Sequence, residues 1–461
     1  MFRVNRTDQY APQGTRDNHL MPTDRDALDS GSERQWGFRT RAVHAGARPE
    51  PTTGARAVPI FQTTSFVFES TADAADLFAL QKYGNVYTRI SNPTVAAFEE
   101  RMASLEGGIG AVATASGQSA EFLVMSALCE SGDHVVSSAQ LYGGTRTLLE
   151  GTLARFGVAT TFVTGDRPAD FAAAVQPNTK VIYTEVVANP SGVVADLEGL
   201  AGVAHAAGIP LVVDSTVATP YLCRPMEWGA DIVVHSATKF LGGHGTSLGG
   251  VVIESGRFDW GNGNFPRMTE PVPSYGGLSW WTNFGEFAFC TRLRAEQLRD
   301  VGPTLSPFNA FLLMQGIETL PQRMDAHLAN ARLVSDALSR NPSVSWVRWA
   351  GLADHPHHDR AARYLPLGPG AVFSFGVVGG RAAGRAFIEA LELCSHLANI
   401  GDTRTLVIHP ASTTHRQLSD EALEGGGVPP DLIRISVGIE DANDIIWDIE
   451  RALRIATGLD R

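Results

Sequence analysis

Residues 211–250 read LVVDSTVATPYLCRPMEWGADIVVHSATKFLGGHGTSLGG. Two short runs, LVVD (211–214) and DIVVH (231–235), are apolar, β-branched and bounded by turn residues. That is the pattern of strands buried on both faces of a parallel sheet. The first run closes on Asp214; the second leads into Ser236, Thr238 and Lys239 and then into the glycines of FLGGHG. Functional groups of open α/β sheets collect just beyond strand ends. One edge of one sheet therefore gathers a carboxylate, a primary amine, two hydroxyls and a flexible glycine loop.

Outward from this stretch the chain alternates between helix and strand. FEERMASLE is helical and stops at Gly107–Gly108, AVATA (111–115) is a strand, and SGQSAEFLVMSALCE (116–130) is a helix. HVVSS, ATTFVT, KVIYTEVV and GVVIE add further strands, so a large, mainly parallel sheet is expected over residues 95–300. Aromatic, irregular sequence fills 256–285. Helical stretches then lead into a smaller C-terminal α+β domain, 301–461, with strands near 372–378 and 432–437 and helices near 381–394 and 442–455. Residues 36–94, including the extended PIFQTTSFVF (59–68), form an N-terminal arm, and the polar stretch 1–35 reads as a disordered tail. A chain of 461 residues exceeds one ordinary core.

The bulk composition excludes several classes of protein. A formal net charge of −12 with no basic run argues against nucleic acid and anionic membrane surfaces. Four scattered cysteines without a CxxC suit a reducing compartment. No apolar stretch reaches membrane-spanning length, and MFRVNRTDQYAPQG lacks a signal-peptide core, so a cytoplasmic protein is expected.

Lys239 follows a buried strand, where partial desolvation lowers an amine's pKa toward nucleophilicity. Asp214 alone would be an ordinary helix cap, but beside such a lysine it is the partner a protonated pyridine nitrogen needs. Ser116, Gly117 and Gln118 open a helix directly after a strand, where free backbone N–H groups bind phosphate. With Ser236 and Thr238 they make a phosphate cup, and Tyr142 supplies an aromatic face at another strand end. Together these groups suit pyridoxal 5'-phosphate. The segment Gly108-Ile-Gly110-Ala-Val-Ala113, with Asp133 twenty residues on, matches a dinucleotide fingerprint. Its glycines end a helix and precede the strand, the reverse of what that motif requires. His355, His357 and His358 lack metal-ligand spacing, and Pro356 interrupts them, so no metal is expected.

The motifs YTRISNPT (87–94), SGQSA, LYGGT, EVVANPSG (185–192), DSTVATP, SATKFLGGHG and LIRISVGIED (432–441) together resemble the pyridoxal-phosphate enzymes of cysteine and methionine metabolism, of fold type I. The resemblance runs from about residue 38 to the C-terminus. It implies that Lys239 holds the coenzyme covalently and acts catalytically with Tyr142, which stacks on the ring, while Asp214 pairs with its nitrogen. It implies that Gly117, Gln118, Ser236 and Thr238 bind the phosphate, that Asn189 touches the ring hydroxyl, and that Thr216 also contacts the coenzyme. Tyr87 and Arg89 would reach the phosphate of a neighbouring subunit, which makes the protein a homo-oligomer with shared sites, taken as a tetramer. Arg434 would clamp the substrate α-carboxylate, with Asn399 beside it.

Within that family, NIGDTRTLVIHPASTTHRQL (399–418), FPRMTEPVPSYGG (265–277) and LSPFNAFLLMQGIETL (305–320) resemble the members that sulfhydrylate O-acetylhomoserine. Arg404 stands where γ-synthases and γ-lyases carry a glutamate, and Gly144 stands where methionine γ-lyases carry a cysteine. The implied reaction converts O-acetyl-L-homoserine and sulfide to L-homocysteine and acetate, in methionine biosynthesis. Alternative donors are O-acetylserine and O-succinylhomoserine, and alternative activities are those of cystathionine γ-synthase and methionine γ-lyase. A non-catalytic binding module would have lost Lys239 or Asp214, and a yellow protein with an aldimine absorbance band would eliminate a nicotinamide oxidoreductase.

Overall fold

In the computed structural model the strand at the centre of the decisive stretch, β5 (Leu211–Asp214), lies in the middle of a seven-stranded sheet. The others are β1 (Gly110–Thr114), β2 (His134–Ser138), β3 (Ala159–Val163), β4 (Thr179–Glu185), β6 (Ile232–Ser236) and β7 (Gly250–Glu254), in the order β1-β7-β6-β5-β4-β2-β3. The structure describes residues 36–414, 416, 419–420 and 428–459. The expected disordered tail, 1–35, lies outside the described residues, as do His415, Gln417 and Leu418 of the motif ending at 418.

Strands β3, β2, β4, β5 and β6 run parallel, and β7 runs antiparallel to both β6 and β1. Leu211, Val212 and Val213 of β5 and Ile232 and Val233 of β6 have no exposed surface, as continuous apolar runs between helical layers require. Burial of each such side chain contributes about 1.5–3 kcal/mol. The register sets Glu185 opposite Asp214 and Asp214 opposite Val234. The carboxyl ends of β4 and β5 therefore stop at the same level, and β6 runs two residues further, to Ser236.

Helix Pro93–Glu106 is capped by the Asn92 side chain and ends on Gly107 at φ +79°. Helix Gly117–Leu128 begins in a capping box between Ser116 and Ser119. The helical region expected after 305 is split into Pro307–Glu318 and Leu320–Arg340. Pro321 stands in the first turn of the second, where its missing N–H costs nothing.

A second sheet of five strands has the order β10-β11-β12-β9-β8. It comprises β8 (Val344–Arg348), β9 (Val372–Val377), β10 (Ser395–His396), β11 (Leu406–Ile408) and β12 (Leu432–Ser436). Helices Gly380–Ala390 and Ala442–Thr457 pack together beside it, the latter burying Ile445, Ile449, Ala452 and Leu453 at helical spacing. The first of these ends at 390 rather than at the expected 394. The buried Asp448 carboxylate captures the N–H groups of Glu392, Leu393 and Cys394, each at 2.9 Å, and so draws the chain out of the helix. The described residues from Phe38 onward group as one compact unit.

One interior cation ties this scaffold to the lysine loop. Arg323, on helix Leu320–Arg340, donates from Nη1 to Phe240 O at 2.7 Å and from Nη2 to Leu241 O at 3.2 Å and Gly316 O at 2.7 Å. Burial lowers its guanidinium to about 10. Replacing Arg323 by Met should strip three buried carbonyls of a donor and destabilise the apoprotein by about 3 kcal/mol. Chemical denaturation would register the loss; an unchanged unfolding midpoint would contradict the clamp.

Candidate active site

Beyond the aligned strand ends lies an open cleft with about 890 Å³ of empty space. Its wall includes Gly117 and Gln118 from the helix start, Tyr142, Asn189, Asp214 and Thr216. Ser236, Thr238 and Lys239 from the loop after β6 complete that wall, and Asn399 and Arg434 close it from the second sheet. Tyr87 and Arg89 are the two sequence candidates outside this wall. Tyr87 is exposed, with the Arg89 guanidinium 5.4 Å above its ring, and Arg89 donates to Arg299 O at 2.8 Å.

The lysine sits in a tight polar frame. Lys239 Nζ donates to Asn399 Oδ1 at 2.5 Å, and Arg434 Nη2 donates to the Asn399 carbonyl at 3.0 Å. Asn399 thus bridges the two cations. Burial and, secondarily, the neighbouring Arg434 lower the Lys239 amine to about 8. Burial lowers Arg434 to about 10. An amine with its pKa near 8 spends part of its time neutral and nucleophilic at physiological pH.

Asp214 Oδ1 accepts the Thr216 N–H at 2.7 Å, and the Thr216 hydroxyl accepts from Ser236 N at 2.8 Å. Among the described residues no donor reaches Asp214 Oδ2, which leaves it for a ring nitrogen. The side-chain oxygen of Asn189 is buried in the cleft wall without a partner, the condition of an atom awaiting a ligand hydroxyl. A Cβ on Gly117 would stand 2.6 Å from Ser236 Cβ, so only glycine lets the helix start approach the loop after β6. The first N–H groups of that helix then face Ser236, an anion-binding arrangement. Thr238 is partly engaged already, donating to Gly249 O at 3.2 Å and accepting from Gly249 N at 3.1 Å. These features fit pyridoxal phosphate: a phosphate cup, a free carboxylate oxygen, an orphaned amide oxygen and a low-pKa amine.

Tyr142 is half exposed over the cleft, and its backbone N–H donates to Glu185 Oε1 at 2.5 Å. A side chain at Gly144 would approach the Tyr142 ring to 2.5 Å, so the absence of a cysteine there leaves the ring its present place.

Two cleft residues escaped the sequence reading. Glu185 closes β4 as Asp214 closes β5, so the strand-end rule pointed to it equally. It also accepts Asn189 N at 3.2 Å, and burial followed by the charge of Asp214 raises it to about 8. Glu121 is a carboxyl on the buried face of helix Gly117–Leu128, one turn in from Gly117. Its only signal was an acid among Ala120, Leu123 and Val124, all of them apolar and buried. The histidine segment lies elsewhere, with His357 preceding helix His358–Tyr364 and 3.7 Å from Asp166.

A fold-type I sheet with a lysine and a carboxylate at one edge defines a pyridoxal-phosphate enzyme. The chain belongs to the Cys/Met metabolism PLP-dependent enzyme family, whose model matches residues 39–454. It is 50% identical over 424 residues to a sulfhydrylase of Fusarium oxysporum f. sp. lycopersici, covering 91% of this chain and 98% of that one. It is 48% identical over 424 residues to an O-acetyl-L-homoserine sulfhydrylase of Leptospira meyeri, covering 90% and 96%. A crystal structure from Campylobacter jejuni, of a candidate O-acetylhomoserine (thiol)-lyase with pyridoxyl-lysine monophosphate, superposes with a TM-score of 0.87. That match has 36% identity and covers 91% of this chain and all of the other.

Because the Lys239 amine must be neutral to add to an aldehyde, coenzyme uptake by the apoprotein should accelerate as pH rises through about 8 and level off above it. Stopped-flow absorbance at fixed coenzyme concentration measures this. A rate that is flat across that interval would contradict the lowered pKa.

Proposed function

We propose that this protein makes L-homocysteine and acetate from O-acetyl-L-homoserine and sulfide, within methionine biosynthesis. The observation that carries the reading is the cleft in which Lys239, Asn399 and Arg434 meet opposite Asp214. Its sulfhydrylase-named relatives, aligned over nine-tenths of the chain, support the choice of reaction.

The coenzyme, when bound, supplies an electron-accepting ring. Asp214 would hold its ring nitrogen, Tyr142 would stack on one face, and Asn189 and Thr216 would hold its edge. Gly117, Gln118, Ser236 and Thr238 would take the phosphate. Arg434 would grip the substrate α-carboxylate through its planar fork, and Asn399 would set the distance between that anion and the lysine. Lys239, released by the incoming amino group, would remove the Cα proton and return it later. Between those proton movements the Cγ–O bond breaks with loss of acetate and a C–S bond forms at the same carbon. Burial, with Arg434 as a secondary influence, keeps the Lys239 amine a usable base near neutral pH.

The domain arrangement follows the same reading: an arm over 36–94, a coenzyme domain over 95–300 and a C-terminal domain over 301–461. Tyr87 and Arg89 would complete the phosphate site of a second copy in a tetramer located in the cytoplasm. Among the described residues no helix is long and apolar enough to cross a membrane.

Purified protein should release homocysteine from O-acetyl-L-homoserine only when sulfide is supplied, and Lys239→Ala should abolish turnover. Faster turnover with O-acetylserine or O-succinylhomoserine, or release of 2-oxobutyrate without sulfide, would replace this reading by the corresponding alternative. Mixing Lys239→Ala chains with Arg89→Ala chains should restore about a quarter of wild-type activity, because about half of randomly paired dimers are mixed and half of the sites in each of those are intact. No recovery in verified mixed oligomers would mean that the sites are not shared.

A further inference from the structure

Glu121 lines the coenzyme cleft and has no part in the steps above. Its side chain is almost wholly buried. Thr145 Oγ1 donates to the carboxyl, lying 2.9 Å from each of its oxygens, and the Tyr183 hydroxyl donates to Oε1 at 2.9 Å. The two partners come from different parts of the site. Thr145 lies on the short helix Gly143–Thr147 that begins directly after Tyr142, and Tyr183 lies on β4 two residues before Glu185. Glu121 itself is one turn beyond Gly117, on the helix whose start forms the phosphate cup. A single carboxyl therefore ties together the phosphate-binding helix, the turn that carries Tyr142 and the strand that ends in Glu185.

The charges around it are one-sided. Asp214 faces it from β5 and Glu185 from β4, while the cleft's cations, Lys239 and Arg434, are held by Asn399. Among the described residues no cation pairs with Glu121. A desolvated anion without a counter-charge beside other carboxyls is strongly disfavoured.

We infer that Glu121 is a positioning residue for the coenzyme, a neutral acid that braces the phosphate-binding helix against the Tyr142 turn and leaves Asp214 to meet the ring nitrogen alone. This rests on the coenzyme occupying the cleft. Burial first, then the charge of Asp214, hold the Glu121 carboxyl well above the ordinary carboxylate range. An acid whose folded pKa is raised contributes stability that is complete at low pH and is lost as pH climbs toward the folded value. Glu185 acts in the same direction, so a comparison at position 121 isolates one of the two.

Glu121→Gln keeps the shape and removes the ionisation. The variant should bind pyridoxal phosphate at neutral pH within about twofold of wild type, since no charge is lost. Wild-type apoprotein should lose thermal stability more steeply than the variant as pH rises from about 5 to about 9. The infrared spectrum of wild type at neutral pH should contain the carbonyl band of a protonated acid that the variant lacks. Coenzyme binding weakened by about tenfold or more in the variant, superimposable stability curves, or no difference band would each overturn the inference. Should Glu121→Gln not fold, Tyr183→Phe removes a donor that favours the ionised form, and the alkaline loss of stability should move to higher pH; a midpoint that stays or falls overturns the inference. Wild type that takes up no coenzyme would defeat the active-site reading instead, and the apoprotein spectra would still settle the protonation of Glu121.

Discussion

The active site depends on an amine that the fold keeps from holding its proton firmly. Lys239 is partly buried beyond the end of an apolar strand, and Arg434 stands next to it as a second cation. Among the described residues neither has a carboxylate partner; each instead donates to Asn399, through its side-chain oxygen and its carbonyl respectively. An ion pair would hold the lysine charged and inert. An amide bridge satisfies its hydrogen bonds and leaves its pKa low.

This frame joins the two sheets. Lys239 follows a strand of the large sheet, whereas Asn399 lies in the connection between β10 and β11 and Arg434 on β12. Arg323 provides a second tie, fixing the carbonyls directly after Lys239 to the helices that lead into the C-terminal part. The coenzyme loop is thus gripped from both sides, and its glycines bend within limits set elsewhere in the chain.

The acidic side of the cleft follows an opposite logic. Glu121, Glu185 and Asp214 converge where β4 and β5 end and helix Gly117–Leu128 begins, and burial disfavours charge on Glu121 and Glu185. Basic and acidic groups are therefore separated across the cleft instead of neutralising one another. A zwitterionic substrate and an anionic coenzyme with a protonated ring both match such a division.

Much of this was legible before any coordinates. LVVD, DIVVH and KVIYTEVV declared buried parallel strands because they are largely apolar runs, although the last ends at Glu185, two residues early, and chain order after each strand placed Asp214, Ser236 and Lys239 at one sheet edge. The capping residues around 107 and 116 marked helix ends because those atoms are needed locally, whereas the Asn92 cap and the helix start at Pro93 emerged only in the fold. Glu121 was hidden because a helix period shows which side is buried but not what the buried carboxyl meets. The early stop of the helix after Gly380 was equally hidden, since Asp448, more than fifty residues away, causes it.

The sequence by itself determined the elements, the sheet edge and the identity of the reactive groups, because these follow from local periodicity and the order of residues along the chain. Only the tertiary structure decided which groups share a cation's field, which carboxyls lose their solvent and how Asn399 spans two positive charges. Those properties depend on distance and burial between residues that lie far apart in the chain.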